Sequence, residues 1–260
     1  MIVRDAGESW QVVLQTDHSR LAGAFVAAWG NETFAPPAHA ASLQLATGRH
    51  DEVWCTWERY PRCDLDTSKP VNFTEVWVPT HLAFYRGGIA VVLEEDRYAA
   101  LLLTMHAAGI YTGRYGTEPS LTQLSAAATR TEIDAFVREC EEAYAALARE
   151  LRVGEQEQWA NYKIMQVCDR LSLYFAMEDV ERGAPFTIGP APVDRAGAEV
   201  ALSVTPVGPW CIRLEPSPFL EPLRLELPRR ILPKRRWADM ASFREDFFAA
   251  PVERVRIEVA

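Results

Sequence analysis

The chain is poor in positive charge. Its 260 residues include 27 lysines and arginines against 36 aspartates and glutamates, which gives a formal net charge of −9. Proteins that bind nucleic acid or anionic membranes usually present a basic face, so this balance argues against both kinds of partner. The one basic run, at residues 229–236, is broken by Ile-Leu-Pro, and we interpret it as a solvated strand edge or turn.

Long apolar stretches and closely paired cysteines are also missing. Apolar runs such as residues 89–93 are far too short to span a bilayer. Asp5, Glu8 and Asp17 interrupt the N-terminal region, so we expect no secretory leader. The five cysteines are an odd number without the spacing of a metal site, which fits reduced thiols. These features predict a cytoplasmic protein without membrane contacts.

Several familiar catalytic motifs are absent as well. The sequence contains no glycine-rich phosphate loop, no GxSxG elbow, no HExxH pair and no CxxC pair. Gly87 and Gly88 follow Arg86 without the strand that a nucleotide-binding loop requires. Nothing singles out one cysteine as a nucleophile. Serine hydrolases, zinc peptidases, P-loop enzymes and dithiol enzymes are therefore poor interpretations.

The pattern of apolar residues changes twice along the chain. Residues 2–15 alternate as a β-hairpin does, residues 16–178 have helical periodicity, and residues 184–260 carry short alternating runs broken by prolines. We predict a mainly α fold, in which residues 16–178 form a helical bundle. The N-terminal hairpin (1–15) and residues 184–260 would together form a small antiparallel β appendage.

What the sequence does contain is an ordered set of histidines and aspartates. Imidazole nitrogens and carboxylate oxygens suit borderline divalent metals such as Fe, Mn, Zn or Co. We predict a site for one or two such ions, formed by the fold rather than by a local loop. Asp51 would bridge two metals. The predicted ligands are His18, His50, Asp51, His81, His106 and Asp169.

Each of these residues also has a simpler interpretation. Asp169 lies on a largely apolar helix face, where an unpaired carboxylate costs several kcal/mol, so either a metal or a salt bridge would explain it. His106 could be a hydrogen-bonded core histidine, and His81 could be a capping or surface residue. We exclude His39, which lies in the first turn of its predicted helix.

The order of the six residues resembles the HD-domain superfamily of metal-dependent phosphohydrolases over residues 16–178. The run Asp-Arg-Leu-Ser that begins at Asp169 is similar to the end of that superfamily's motif. The additional His81 and His106 resemble its binuclear subset, which includes cyclic-dinucleotide phosphodiesterases and di-iron oxygenases. The resemblance implies a helical fold with a mononuclear or binuclear metal site.

A second resemblance concerns short motifs outside the ligand set. The opening MIVR, the WG after the first helix, HDxxW, HLxxY and HxxGIY are similar to an uncharacterised bacterial family, domain-of-unknown-function 3891. That resemblance implies no activity. Trp54 stands where inositol-type oxygenases have a lysine, and the Gly-Tyr-Pro signature of the cyclic-dinucleotide enzymes is missing.

We expect hydrolysis of a phosphate ester or anhydride in a small metabolite or nucleotide, with Asp51 as the catalytic residue. An anionic substrate needs fixed cations, and Arg114 and Lys163 are candidates, although both could be ordinary surface charges. Arg59 and Tyr60 begin a proline-broken, aromatic loop that could cover the pocket or simply be pinned by its own apolar cluster. A di-iron oxygenase and an inactive binding module remain as alternatives.

Overall fold

A computed structural model describes residues 1–117 and 129–260. A β-hairpin comes first, then a run of helices, and then strands with one further helix. The helices are α1 (Gln15–Ala27), α2 (Ala40–Arg49), α3 (Cys55–Glu58), α4 (Val78–Glu95), α5 (Arg97–Tyr111), α6 (Arg130–Leu151), α7 (Glu155–Met177) and α8 (Met240–Ala249). The strands are β1 (Ile2–Asp5), β2 (Ser9–Val13), β3 (Cys63–Asp64), β4 (Lys69–Pro70), β5 (Phe186–Pro192), β6 (Glu199–Gly208), β7 (Cys211–Glu215), β8 (Leu223–Pro233) and β9 (Glu253–Val259).

The expectation of a mainly helical HD-like bundle with a small β unit is wrong. Seven strands form one curled, half-barrel sheet in the order β1-β2-β8-β9-β7-β6-β5, while β3 and β4 form a separate pair. The sheet is a full structural layer beside the helices, so the fold is a mixture of α and β.

The sequence pattern underestimates the sheet because its strand pairing is long-range. Trp10 of β2 lies opposite Leu232 of β8, and Ile212 of β7 pairs with Val259 of β9 in a parallel arrangement. Partners so distant in sequence are chosen by packing on a shared core rather than by any local signal. The sequence of each strand therefore predicts the strand itself but not the size of the sheet that it joins.

Helices and sheet share one hydrophobic core. The rings of Phe25 on α1 and Phe175 on α7 lie 6.5 Å apart, and both belong to the same buried cluster as Leu202 of β6 and Ile257 of β9. Burying an apolar side chain of this size stabilises a fold by about 1.5–3 kcal/mol. The inner faces of α1 and α7 thus depend on the sheet for their burial.

Two glycines allow α1 and α2 to approach closely. A Cβ atom added to Gly23 would lie 2.7 Å from the Cα of Gly48, a contact that no side chain tolerates. His18 lies shortly before Gly23 on α1, and His50 comes directly after α2. The close approach brings these two imidazole rings to a centroid separation of 4.9 Å.

Helix α6 is amphipathic. On α6, Ile133, Phe136 and Cys140 are buried on one face, while charged residues cover the opposite face. Within residues 1–117 and 129–260, no helix combines the length and the apolar character that crossing a bilayer requires.

Candidate metal centre

All six predicted ligand residues are buried, with 3% or less of each residue exposed. They come from five separate helices or helix ends, so the fold assembles them from distant parts of the sequence. His18 lies on α1, His50 and Asp51 follow α2, His81 lies on α4, His106 on α5 and Asp169 on α7.

The ring of His18 is fixed by its Nδ1 atom. Nδ1 lies 2.9 Å from the hydroxyl oxygen of Ser172, and that hydroxyl donates its own hydrogen to the backbone oxygen of Asp169 at 2.8 Å. The serine oxygen therefore accepts from Nδ1–H of His18. This leaves the Nε2 atom of His18 directed at Oδ2 of Asp51, 2.9 Å away.

His50 is fixed in the same way. Its Nδ1–H donates to the backbone oxygen of Thr47 at 2.7 Å. Its Nε2 lies 3.3 Å from Oδ1 of Asp169 and 3.5 Å from Oδ2 of Asp51. Burial lowers the pKa of His50, but the two carboxylates outweigh burial and raise that pKa to about 9.

The two carboxylates are held in their charged form. Burial raises the pKa of Asp51, but His50 and His18 outweigh it and hold that pKa well below its usual range. For Asp169, the effect of burial is outweighed by Arg114 and His50, so its pKa is also low. Tyr85 on α4 donates its hydroxyl hydrogen to Oδ1 of Asp51 at 2.8 Å. His18 at Oδ2 and Tyr85 at Oδ1 therefore fix the orientation of the Asp51 carboxylate.

These contacts are compatible with a bound metal ion. Ligating histidines usually donate their second ring N–H to a backbone or side-chain oxygen, as His18 and His50 do. Their Nε2 lone pairs would face carboxylate oxygens, which is unfavourable unless a proton or a metal ion lies between them. Oδ1 of Asp169 is buried and accepts no hydrogen bond from the residues that the structure describes. Within each of two overlapping groups, the ligand atoms lie within 4.8 Å of one another: His18, His50 and Asp169; and His50, Asp51 and His106.

His81 occupies a different environment. Its Nδ1 is hydrogen-bonded to the hydroxyl of Tyr111 at 2.5 Å, and its ring packs against Trp54 and Tyr85 with centroids 5.5 and 4.9 Å apart. Burial lowers the pKa of His81 to about 4, so the ring is neutral. His81 belongs to neither of the two ligand groups found among the described residues.

Arg114 lies within the site rather than on the surface. It follows α5 in the short 3₁₀ turn Gly113–Gly116 and is only 6% exposed. Its Nη1 atom lies 2.9 Å from Nδ1 of His106 and 3.0 Å from Oδ2 of Asp169. Burial and the Arg114 charge both lower the pKa of His106, which is therefore neutral.

The other predicted substrate contacts lie elsewhere. Lys163 on α7 forms an ion pair with Glu199 of β6, on the side of the helix that faces the sheet. Arg59 is exposed, and Tyr60 is 65% exposed with its ring beside Arg244 of α8. Within the described part of the chain, none of these side chains contacts the histidines or aspartates of the site. Their proposed roles stay predictions.

Sequence reasoning did not assign a role to several polar residues of the site. Tyr85 lies one helical turn after His81, Thr47 one turn before His50, and Ser172 one turn after Asp169, so helical spacing could have found all three. Tyr162 and Gln166 share the face of α7 that carries Asp169, at the same kind of spacing.

A model of the family described as "Protein of unknown function (DUF3891)" matches residues 1–234. The match covers most of the sequence, so the chain belongs to this family. The description assigns no activity, and the match does not show membership of the HD-domain superfamily. A search of the curated proteins found no match, and a search of the solved structures also found none.

Proposed function

We propose that this DUF3891 protein is a cytoplasmic metal-dependent hydrolase that cleaves a phosphate ester or anhydride in a small metabolite or nucleotide. One observation carries the proposal. The Nδ1–H groups of His18 and His50 are both bound to outer acceptors, and their Nε2 atoms lie 2.9 to 3.5 Å from carboxylate oxygens of Asp51 and Asp169. A metal ion between these nitrogen and oxygen atoms would satisfy both the imidazole lone pairs and the carboxylates.

The charge balance of the buried site supports a divalent cation and an anionic substrate. Asp51 and Asp169 contribute two negative charges and Arg114 contributes one positive charge, because arginine remains protonated in proteins. In the metal-free site, the raised pKa of His50 adds a second positive charge, which balances the two carboxylates. A metal ion would displace that proton, and the neutral histidines, the carboxylates and Arg114 would then carry one negative charge. A divalent ion reverses that sign, and the site then attracts an anion despite the net charge of −9 on the whole chain.

His18, His50, Asp51 and Asp169 would hold the ion. When bound, such a metal lowers the pKa of a coordinated water and polarises a phosphoryl oxygen. Tyr85 keeps the Asp51 carboxylate in place through its hydrogen bond, and Ser172 and Thr47 keep the two imidazole rings in place.

Unused hydrogen-bond donors on α7 and on the turn that carries Arg114 support an oxygen-rich substrate. Nε of Arg114, the hydroxyl of Tyr162 and Nε2 of Gln166 are buried and have no hydrogen-bond partner among the described residues. An unsatisfied buried donor costs about 1–3 kcal/mol, so such groups are expected to serve a bound molecule. Phosphate oxygens are acceptors without donors at neutral pH, and they suit all three groups.

The test is a turnover screen of the metal-reconstituted protein. A panel of phosphate monoesters, diesters and nucleoside triphosphates is incubated with Mn- or Fe-loaded protein, and released phosphate or product is measured by chromatography. Metal-dependent turnover of at least one phosphate compound is expected, and chelation should abolish it. Dioxygen uptake with an iron-loaded sample would instead support the di-iron oxygenase. Metal binding without turnover would support the third alternative, an inactive binding module.

A further inference from the structure

We propose that Arg114 is a built-in cation that takes the place of a second metal ion. The site would then bind a single metal, on His18, His50, Asp51 and Asp169, and His106 would not be a ligand. This inference rests on the proposed metal site and reduces the expected number of bound ions from one or two to one.

The first argument is the hydrogen-bonding chemistry of a single nitrogen. Nη1 of Arg114 lies 2.9 Å from Nδ1 of His106 and 3.0 Å from Oδ2 of Asp169, so it bridges a histidine and a carboxylate as a metal would. A guanidinium has donors only, so Nδ1 of His106 must accept. In a neutral imidazole the hydrogen then lies on Nε2. Neither nitrogen of His106 is left to bind a metal.

The histidines of the site therefore divide into two kinds. His18 and His50 carry their hydrogens on Nδ1, bound to Ser172 and Thr47, and direct Nε2 at the carboxylates. His106 has the opposite arrangement, because its Nδ1 faces a donor. His18 and His50 therefore offer a free Nε2 lone pair to a metal ion, whereas His106 uses its Nδ1 lone pair to accept from Arg114.

The backbone around Arg114 supports a dedicated role. Arg114 and Tyr115 both have left-handed dihedral angles, with φ of 53° and 54°. This conformation is unfavourable for any residue that is not glycine. Such strain persists where the surroundings determine the position, and it is concentrated at functional sites. Here it directs the arginine side chain inward from the turn that follows α5.

Charge adds a third argument. The ring of His106 lies 4.8 Å from the ring of His50, and Nη1 of Arg114 lies 2.9 Å from Nδ1 of His106. A second metal ion on His106 would lie next to a buried positive charge, and repulsion between like charges is strong where water is excluded. Arg114 must leave before such an ion can bind.

Metal stoichiometry tests the inference. Wild-type protein and the variants Arg114→Met and Arg86→Met are dialysed against excess Mn²⁺, and bound metal is measured by mass spectrometry. Arg86→Met removes the same charge from an exposed pair with Glu139. We expect about one ion per chain in wild type and in Arg86→Met, and about two in Arg114→Met. The electron paramagnetic resonance spectrum should change from that of an isolated ion to that of an exchange-coupled pair.

The outcomes separate this inference from the proposed function. Two ions in the wild type, or one ion in folded Arg114→Met, would overturn the role of Arg114 and leave the metal site intact. No ion in the wild type would overturn the metal site itself. If Arg114→Met does not fold, His106→Gln and His50→Gln replace it. His106→Gln should keep its ion while His50→Gln loses it, and loss of the ion from His106→Gln would contradict the inference.

Discussion

Replacing Asp51 by asparagine is expected to lower kcat/KM of the metal-reconstituted protein at least about 100-fold, because loss of an outer hydrogen-bond partner alone costs 10- to 100-fold. Oδ2 of Asp51 lies 2.9 Å from Nε2 of His18, and its Oδ1 accepts from Tyr85. The amide keeps the size of the carboxylate and removes its charge. Steady-state kinetics on the best substrate of the screen, together with metal content, measure the effect.

Asp17→Asn is the matched control for this variant. Asp17 directly precedes His18 on α1, but its carboxylate pairs with Arg20 at 3.1 Å and takes no part in the site. Turnover and metal content should remain at wild-type values. If Asp51→Asn behaved like Asp17→Asn, the assignment of Asp51 as a ligand and catalytic residue would be wrong.

The Asp169→Asn variant is expected to lose about 3–5 kcal/mol of unfolding free energy in the metal-free state, since it removes one partner of a buried ion pair. Asp169 and Arg114 are 2% and 6% exposed, and Nη1 of Arg114 lies 3.0 Å from Oδ2 of Asp169. The substitution leaves the guanidinium buried without its carboxylate. Urea unfolding, followed by circular dichroism after dialysis against a chelator, gives the free energy.

The double variant Asp169→Asn/Arg114→Met controls for the lost contact. It also removes the buried Arg114 charge that has lost its partner, so it should be more stable than Asp169→Asn alone. The unfolding free energy of Arg114→Met completes the comparison. If the double variant lost as much as the two single variants together, Asp169 and Arg114 would not be coupled, which would contradict the structure of the site.

The candidate residues of the site could be predicted from the sequence because helical spacing and residue chemistry are local signals. His18, His50 and Asp169 each occur in a helical pattern, and their residue types suit a divalent metal whatever the details of the fold. That they bind one remains a prediction.

The buried position of Arg114 could not be predicted in the same way. Its position depends on a left-handed turn after α5, and no local pattern distinguishes an arginine that folds inward from one on the surface. The sheet was misjudged for a related reason. Its central strand β9 lies at the end of the sequence, between β7 and β8, and only long-range packing determines that position.

The central claim is that His18 and His50 hold a metal ion together with two aspartates. Metal analysis of protein purified without chelators tests it most directly, using wild type, the double variant His18→Gln/His50→Gln, and His39→Gln as a control on an exposed histidine paired with Glu157. We expect about one equivalent of transition metal in wild type and in His39→Gln, and almost none in the double variant. A wild-type protein without metal, even after reconstitution with Mn or Fe, or a double variant that binds as much as wild type, would contradict the account.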